Sequence, residues 1–364
     1  PCPIATRGFN ALVQLVGNTC RDSFDLFYAL YSHNPHSSDQ LAQFAQAFDE
    51  LRAIISLSVG EPDFMPAPQI AGLCGARSVV VKTRGEEGFL LQPHALERAL
   101  TPATRILILC NPSNPTGAVH PPALLEELAA ATALLIYSTA LLLYFYLAYL
   151  VQLLCPAHLA SAQIVFDEKH VAFASLPGMY ERTVTINGFS KGQAMTGFRV
   201  GYIAASTTIA AACNKVQSQN TSCPCSLSQH AAIAAIRDVP EQSFQLEAIA
   251  NFREKRDYVL SRHTTNQREG GGEGKVPGVS CETPQGAFYL FPTISPLFGK
   301  RTPAGVVIED SEGLCLYLLE ECHLALVPGE AFGDGNCLRI SYAAAMECLV
   351  AACDSFERGV KLLK

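Results

Sequence analysis

The sequence predicts an α/β protein: a large domain on a doubly wound, mostly parallel sheet, joined to a smaller α+β domain. Three observations carry this. Short apolar runs rich in β-branched residues recur along the chain, as buried parallel strands require. Segments of helical period fall between them, and strands alternating with helices fold into a sheet with helices on its faces. The chain has 364 residues, 49% of them hydrophobic, which suffices for two domains and a large core.

The elements follow in order. Residues 1–40 carry little pattern. Residues 40–53 read as an amphipathic helix with Leu41, Phe44, Phe48 and Leu51 on one face. Residues 77–82 and 105–110 read as strands. A helix begins at Pro122 and runs at least to Ala131, with Glu126 and Glu127 in its early turns. Residues 162–166, 183–186 and 199–205 are further strands. Residues 241–262 form a long mixed helix leading from the large domain into the smaller one. The Gly-rich stretch 267–275 is a flexible surface loop. The boundaries expected are 62–250 for the large domain, and 1–61 together with 251–364 for the small one. No internal repeat is present.

Composition excludes several classes. Charged residues are 16% of the chain and the net charge is −7, with no basic stripe, which argues against nucleic-acid binding. The 14 cysteines are scattered, and Cys223-Pro-Cys225 is the one close pair. That pattern reads as reduced intracellular thiols, with no spacing suited to a metal. The compartment expected is intracellular and cytoplasmic, with an organelle as the alternative, since the chain starts at Pro1 and a targeting peptide could have been lost.

The chemistry concentrates in Ile186-Asn-Gly-Phe-Ser-Lys-Gly-Gln-Ala-Met-Thr-Gly-Phe-Arg-Val-Gly-Tyr202. Lys191 sits in a small, polar, Gly-rich turn, and Arg199 opens the next apolar run. A lysine able to form a Schiff base, near an arginine able to hold a phosphate, is the minimal equipment of pyridoxal phosphate chemistry. This wording resembles the lysine motif of class I aminotransferases, the fold type I pyridoxal phosphate enzymes. Other segments resemble the same family in the same order: Leu57-Ser-Val-Gly-Glu-Pro-Asp-Phe64, Asn111-Pro-Ser-Asn-Pro-Thr-Gly117, Val165-Phe-Asp-Glu168, Pro284-Gln-Gly-Ala-Phe-Tyr289, Val327-Pro-Gly-Glu-Ala-Phe332 and Leu338-Arg-Ile-Ser-Tyr342. The resemblance covers most of residues 45–364 and is nearest to bacterial-type aspartate aminotransferases, with prephenate aminotransferases among their relatives.

The resemblance implies a role for each group. Lys191 would bind the cofactor as an imine and then shuttle the proton between substrate Cα and the cofactor. Asp167 would pair with the protonated pyridine nitrogen, and Asn114 would donate to the phenolic oxygen. Arg199 would grip the phosphate, with Ser190 as a second donor. Arg339 would clamp the substrate carboxylate, Asn114 would also meet the substrate, and Gly60 would let the backbone approach it. His170 departs from the family, which usually has tyrosine at this place. A neutral imidazole could donate one bond there, in a pH-dependent way. The implied reaction is transfer of an amino group between an L-amino acid (aspartate or glutamate) and a 2-oxo acid, by a homodimer. An aromatic or prephenate-type substrate is the alternative.

Two places break the family pattern. After Phe64 the chain passes directly through residues 66–76, where relatives carry a phosphate-cradling turn and a residue stacked on the cofactor ring. Then residues 128–163 contain no Asp, Glu, Lys or Arg, and residues 133–151 are as apolar as a membrane span. No flanking cation anchors that run, and its tyrosines are central. One span would also put Asn114 and Asp167 on opposite sides of a membrane, so membrane insertion is set aside. The gap and the apolar insert, 129–160, leave open a catalytically impaired chain or a faulty gene model.

Overall fold

In the computed structural model of the chain, the described residues are 55–56, 77, 79–104, 106–139, 149–153, 164–237, 243–263 and 276–364. The expected helix at 40–53, the segments around Gly60 and 66–76, and the loop 267–275 lie outside them. In chain order the strands are β1 (Ile55–Ser56), β2 (Ile106–Cys110), β3 (Tyr149–Leu153), β4 (Thr183–Gly188), β5 (Gly201–Ala204), β6 (Tyr289–Leu290), β7 (Leu324–Ala325), β8 (Val327–Pro328) and β9 (Leu338–Ser341). The α-helices are α1 (Pro93–Ala99), α2 (Pro122–Thr139), α3 (Thr207–Asn220), α4 (Ser226–Arg237), α5 (Ser243–His263), α6 (Ser311–Cys322) and α7 (Met346–Leu362). The chain divides into two compact units, Pro62–Thr293 and Pro1–Glu61 with Ile294–Lys364.

The central unit is built on a sheet of order β2-β3-β4-β5. β2, β3 and β4 run parallel, and β5 returns antiparallel to β4. Leu109 of β2 packs with Leu96 of α1, Leu125 and Leu128 of α2, and Phe173 into one buried cluster. Phe189, Met195 and Val200, around the turn between β4 and β5, form a second cluster with Ala232 of α4. Pro at the first helical position starts both α1 and α2, where its missing N–H has no partner to lose.

Two expected strands are corrected. Residues 79–82 form no strand, and the Val79 and Val80 side chains are exposed. Their β-branched composition supplies propensity, but β2 ends the sheet among the described residues, so no edge pairs with them. The second is 162–166, of which Val165 makes only an isolated bridge to Gly286. Between β2 and β4 the sheet holds β3, cut from the apolar run that the sequence sets apart as an insert. β3 pairs over five residues with β2 and over four with β4. A strand hydrogen-bonded on both edges of a parallel sheet suits an apolar sequence without alternation. Among the described residues no helix is long and apolar enough to cross a membrane.

The second unit pairs β1 with β7 in parallel and β8 with β9 antiparallel. α7 is amphipathic, burying Leu349, Ala352, Cys353, Phe356 and Val360 along one stripe. It crosses α6 at Gly359, where an added Cβ would come within 2.7 Å of Leu318 and 2.8 Å of the Cys322 sulfur. The Tyr317 hydroxyl donates to the Gly359 carbonyl at 3.1 Å across the same crossing. Asp310 caps α6 by accepting from the Gly313 N–H at 2.8 Å.

Candidate active site

The site of the central unit is organised by residues 284–288. The Gly117 carbonyl, closing the Asn-Pro loop after β2, accepts from Gln285 N and Gly286 N at 2.9 Å each. On its other side the segment meets the stretch before Asp167: Ala287 N donates to the Ile164 carbonyl, and Phe166 N to the Gln285 carbonyl, both at 2.8 Å. Only glycine fits at two of these positions. A Cβ on Gly286 would lie 2.7 Å from the Ile164 oxygen and 2.9 Å from Pro112 Cβ. Gly117 has φ +67°, and its Cβ would lie 2.3 Å from Pro284 Cβ. The loop carrying Asn114 and the stretch carrying Asp167 are thereby tied to one segment.

The same segment reaches the lysine. Lys191 follows β4, half-buried, with its Nζ 5.7 Å from the centre of the Phe288 ring. The ladder between β4 and β5 continues past Gly188, since Phe189 N donates to the Val200 carbonyl at 3.2 Å. Ser190 and Arg199 lie inside that pair, within the turn that carries Lys191. Thr196 Oγ1 donates to the Ser190 carbonyl at 2.9 Å and closes that turn. Arg199 is exposed, at φ +50°, and its Nη1 donates to the Thr196 carbonyl at 3.3 Å.

Asp167 has its own partners. Its Oδ1 accepts a short hydrogen bond from Arg253 Nη1, and its Oδ2 stands 3.6 Å from Arg256 Nη1. The Arg253 hydrogen bond, helped by the charge of both guanidiniums, holds the carboxyl below the usual carboxylate range. The side chain is still 51% exposed, so part of the carboxylate stays open to a further donor.

Behind the Asn-Pro loop lies a buried polar group. Asn111 Oδ1 accepts from His120 N at 3.0 Å, and His120 Nε2 accepts from Leu91 N at 3.1 Å. Burial pushes the His120 pKa down to about 4, so its ring is neutral at ordinary pH. His170 is buried as well. Burial lowers its pKa, against a weaker opposing hydrogen bond with the Asn111 backbone, and its Nε2 has no hydrogen-bond partner among the described residues. A buried nitrogen of this kind is one that a polar group entering the site could meet.

Of the residues the sequence singles out, the structure gathers Asn114, Asp167, His170, Ser190, Lys191 and Arg199 in the central unit. Arg339 belongs to the other unit, on β9, where it is 1% exposed with its guanidinium 4.9 Å from the Phe332 ring centre. Gly60 lies outside the described residues.

The profile of the family described as aminotransferase class I and II matches residues 36–352. The chain belongs to this family. Residues 1–58 also match a family described as TYRAAT1-like, C-terminal domain. A bifunctional aspartate aminotransferase and glutamate/aspartate-prephenate aminotransferase of Petunia hybrida is 41% identical over 327 residues, covering 86% of this chain and 62% of the relative. An aspartate aminotransferase of Pinus pinaster is 40% identical over 318 residues, covering 84% and 59%. The chain thus spans about three fifths of the length of these plant relatives. The crystal structure of the aspartate aminotransferase from Rhizobium meliloti superposes with a TM-score of 0.70 at 33% identity, covering 86% of this chain and 74% of that one. The fold is that of the fold type I pyridoxal phosphate enzymes, as this aminotransferase sequence led one to expect.

Three groups around these residues were not singled out from sequence. Phe288 lies in a quoted motif, but nothing in its spacing points to Lys191. His120 has no local signal, because its role depends on burial. Arg253 and Arg256 sit in a helix read from sequence only as long and mixed; their three-residue spacing, which puts both on one side of α5, was the available clue.

Proposed function

We propose that this chain transfers an amino group between an L-amino acid, aspartate or glutamate, and a 2-oxo acid, with pyridoxal phosphate bound at Lys191. The observation that carries this reading is the convergence on residues 284–288 of the Asn114 loop, the stretch before Asp167 and, through Phe288, the Lys191 turn. The aminotransferase names of the relatives support it.

The donor set suits the cofactor. The orphaned His170 Nε2 is a buried atom in want of a polar partner, which the cofactor's phenolic oxygen would offer. Asp167 is an ionised, half-open carboxylate suited to a pyridinium N–H, and Asn114 would supply a second polar contact to the ring. Ser190 and Arg199, both in the turn between β4 and β5, would take the phosphate. When bound, the cofactor supplies an electron sink for cleavage of the substrate Cα–H bond. Lys191 accepts that proton and returns it during the transfer. Arg339 would hold the substrate carboxylate, with Gly60 and Asn114 beside the substrate. A homodimer inside the cell completes the reading.

The test is an amino-transfer assay with L-aspartate and 2-oxoglutarate, comparing the chain with Lys191→Ala. Lysine-dependent formation of glutamate supports the proposal, and equal rates in both proteins reject it. The Petunia relative's name also favours trying prephenate as acceptor, and turnover with prephenate alone would shift the substrate assignment to that class.

A further inference from the structure

We infer that Arg253 and Arg256 of α5 are positioning residues for Asp167, fixing its carboxylate relative to the Asn114 loop. The inference rests on the functional reading above for its purpose, though the clamp itself is a matter of geometry.

Each arginine grips more than one atom. Arg253 uses its fork on two successive residues: Nη2 donates to the Phe166 carbonyl at 2.6 Å and Nη1 to the Asp167 carboxylate. Arg256 is buried, with its guanidinium 4.6 Å from the centre of the Phe166 ring. Its Nη1 donates to the Pro284 carbonyl at 3.0 Å and stands 3.6 Å from Asp167 Oδ2. Its Nε donates to Asp257 Oδ1 at 2.8 Å. One side chain therefore touches the ring before Asp167, the carboxylate itself and the segment hydrogen-bonded to Gly117. A lysine could not replace either arginine, because a point-like ammonium lacks the planar fork that reaches two acceptors at once.

The clamp leaves room for a ligand. A carboxylate offers about four acceptor positions, and the arginines occupy one side of it. Among the described residues, the charged groups facing Asp167 are these two guanidiniums. Asp257 lies behind Arg256, and the neighbours Glu168 and Lys169 on its own segment are exposed. With one side fixed, the open side of the carboxylate is held in one orientation, so a pyridinium donor meets an ordered acceptor.

The experiment uses the full chain, labelled with 13C at aspartate carboxyls, with the Asp167 signal identified by its loss in Asp167→Asn. In the wild type the signal should titrate below the ordinary carboxylate range. In Arg253→Gln it should move up towards that range, while the thermal unfolding midpoint stays close to the wild type. An unmoved titration in Arg253→Gln overturns the clamp. In parallel, pyridoxal phosphate is titrated by absorbance into the wild type and Arg256→Lys, which keeps the charge and loses the fork. Binding should weaken about tenfold or more, as loss of a charge-assisted hydrogen bond implies. Equal affinity overturns the positioning role. If the wild type takes up no pyridoxal phosphate, the functional reading fails, and the carboxyl titration still decides whether the clamp exists.

Discussion

Replacing Gly117 with alanine tests whether residues 284–288 are lodged against the Asn-Pro loop. Two terms add. Gly117 has φ +67°, a left-handed conformation that costs an alanine about 1–2 kcal/mol. Its new Cβ would also lie 2.3 Å from Pro284 Cβ and 2.7 Å from the Gly286 oxygen, an overpacking worth about 1–3 kcal/mol. The sum, about 2–5 kcal/mol, is a large part of the 5–15 kcal/mol that holds an ordinary domain folded. Gly178 separates the terms. It has φ +74° and nothing within 4 Å of an added Cβ, so Gly178→Ala carries the backbone term alone. Urea unfolding at 25 °C followed by circular dichroism, on the wild type and both variants, gives the two midpoints. Gly117→Ala should be the weaker protein by the overpacking term. Equal losses in the two variants would refute the contact between this loop and Pro284, and with it the convergence that defines the site.

Other expectations follow from the same coordinates. Gly359→Ala gains about 0.5–1 kcal/mol of helix stability and loses about 1–3 kcal/mol to crowding against Leu318 and Cys322; a variant more stable than wild type in denaturant would contradict the close α6–α7 crossing. For His120 the folded pKa lies at about 4, below the ordinary imidazole value of 6.5, so the unfolded chain takes up its proton first as pH falls. Stability should then be full above about pH 6.5, decline through the window and level off near pH 4, a loss of about 3 kcal/mol. His120→Gln should flatten that slope in unfolding measured against pH, and an unchanged slope would show that other groups cause it. Burial pushes the Cys315 thiol up to about 12, so iodoacetamide at mild alkaline pH should modify the exposed Cys213, Cys223, Cys225 and Cys348 in the native protein and spare Cys315. Peptide mass mapping reads the pattern, and early Cys315 labelling would contradict its burial.

What the sequence disclosed follows from where each signal resides. β2, β4 and β5 show locally, because short β-branched runs bounded by turn residues need no distant information. α5 shows through its length and period. β3 did not, since its residues sit in a charge-free run with the composition of a membrane span, and no turn signal marks where a strand begins within it. Residues 162–166 had the composition of a strand but make only an isolated bridge at Val165, while β3 holds the place between β2 and β4, an outcome that single-segment propensity does not describe. At the site, Lys191, Asn114 and Asp167 are legible because each lies in a motif whose wording is specific. Arg253, Arg256 and Phe288 become visible only when α5 and residues 284–288 are folded against Phe166 and Lys191. His120 is the extreme case, a histidine made neutral by burial alone.

The most direct test of the account is borohydride reduction of the chain in the presence of pyridoxal phosphate, followed by peptide mass analysis. The account predicts that the reduced cofactor is found on the peptide carrying Lys191, and that Lys191→Ala abolishes the adduct while keeping the fold. Modification spread over surface lysines, with the Lys191 peptide unmodified, would contradict it.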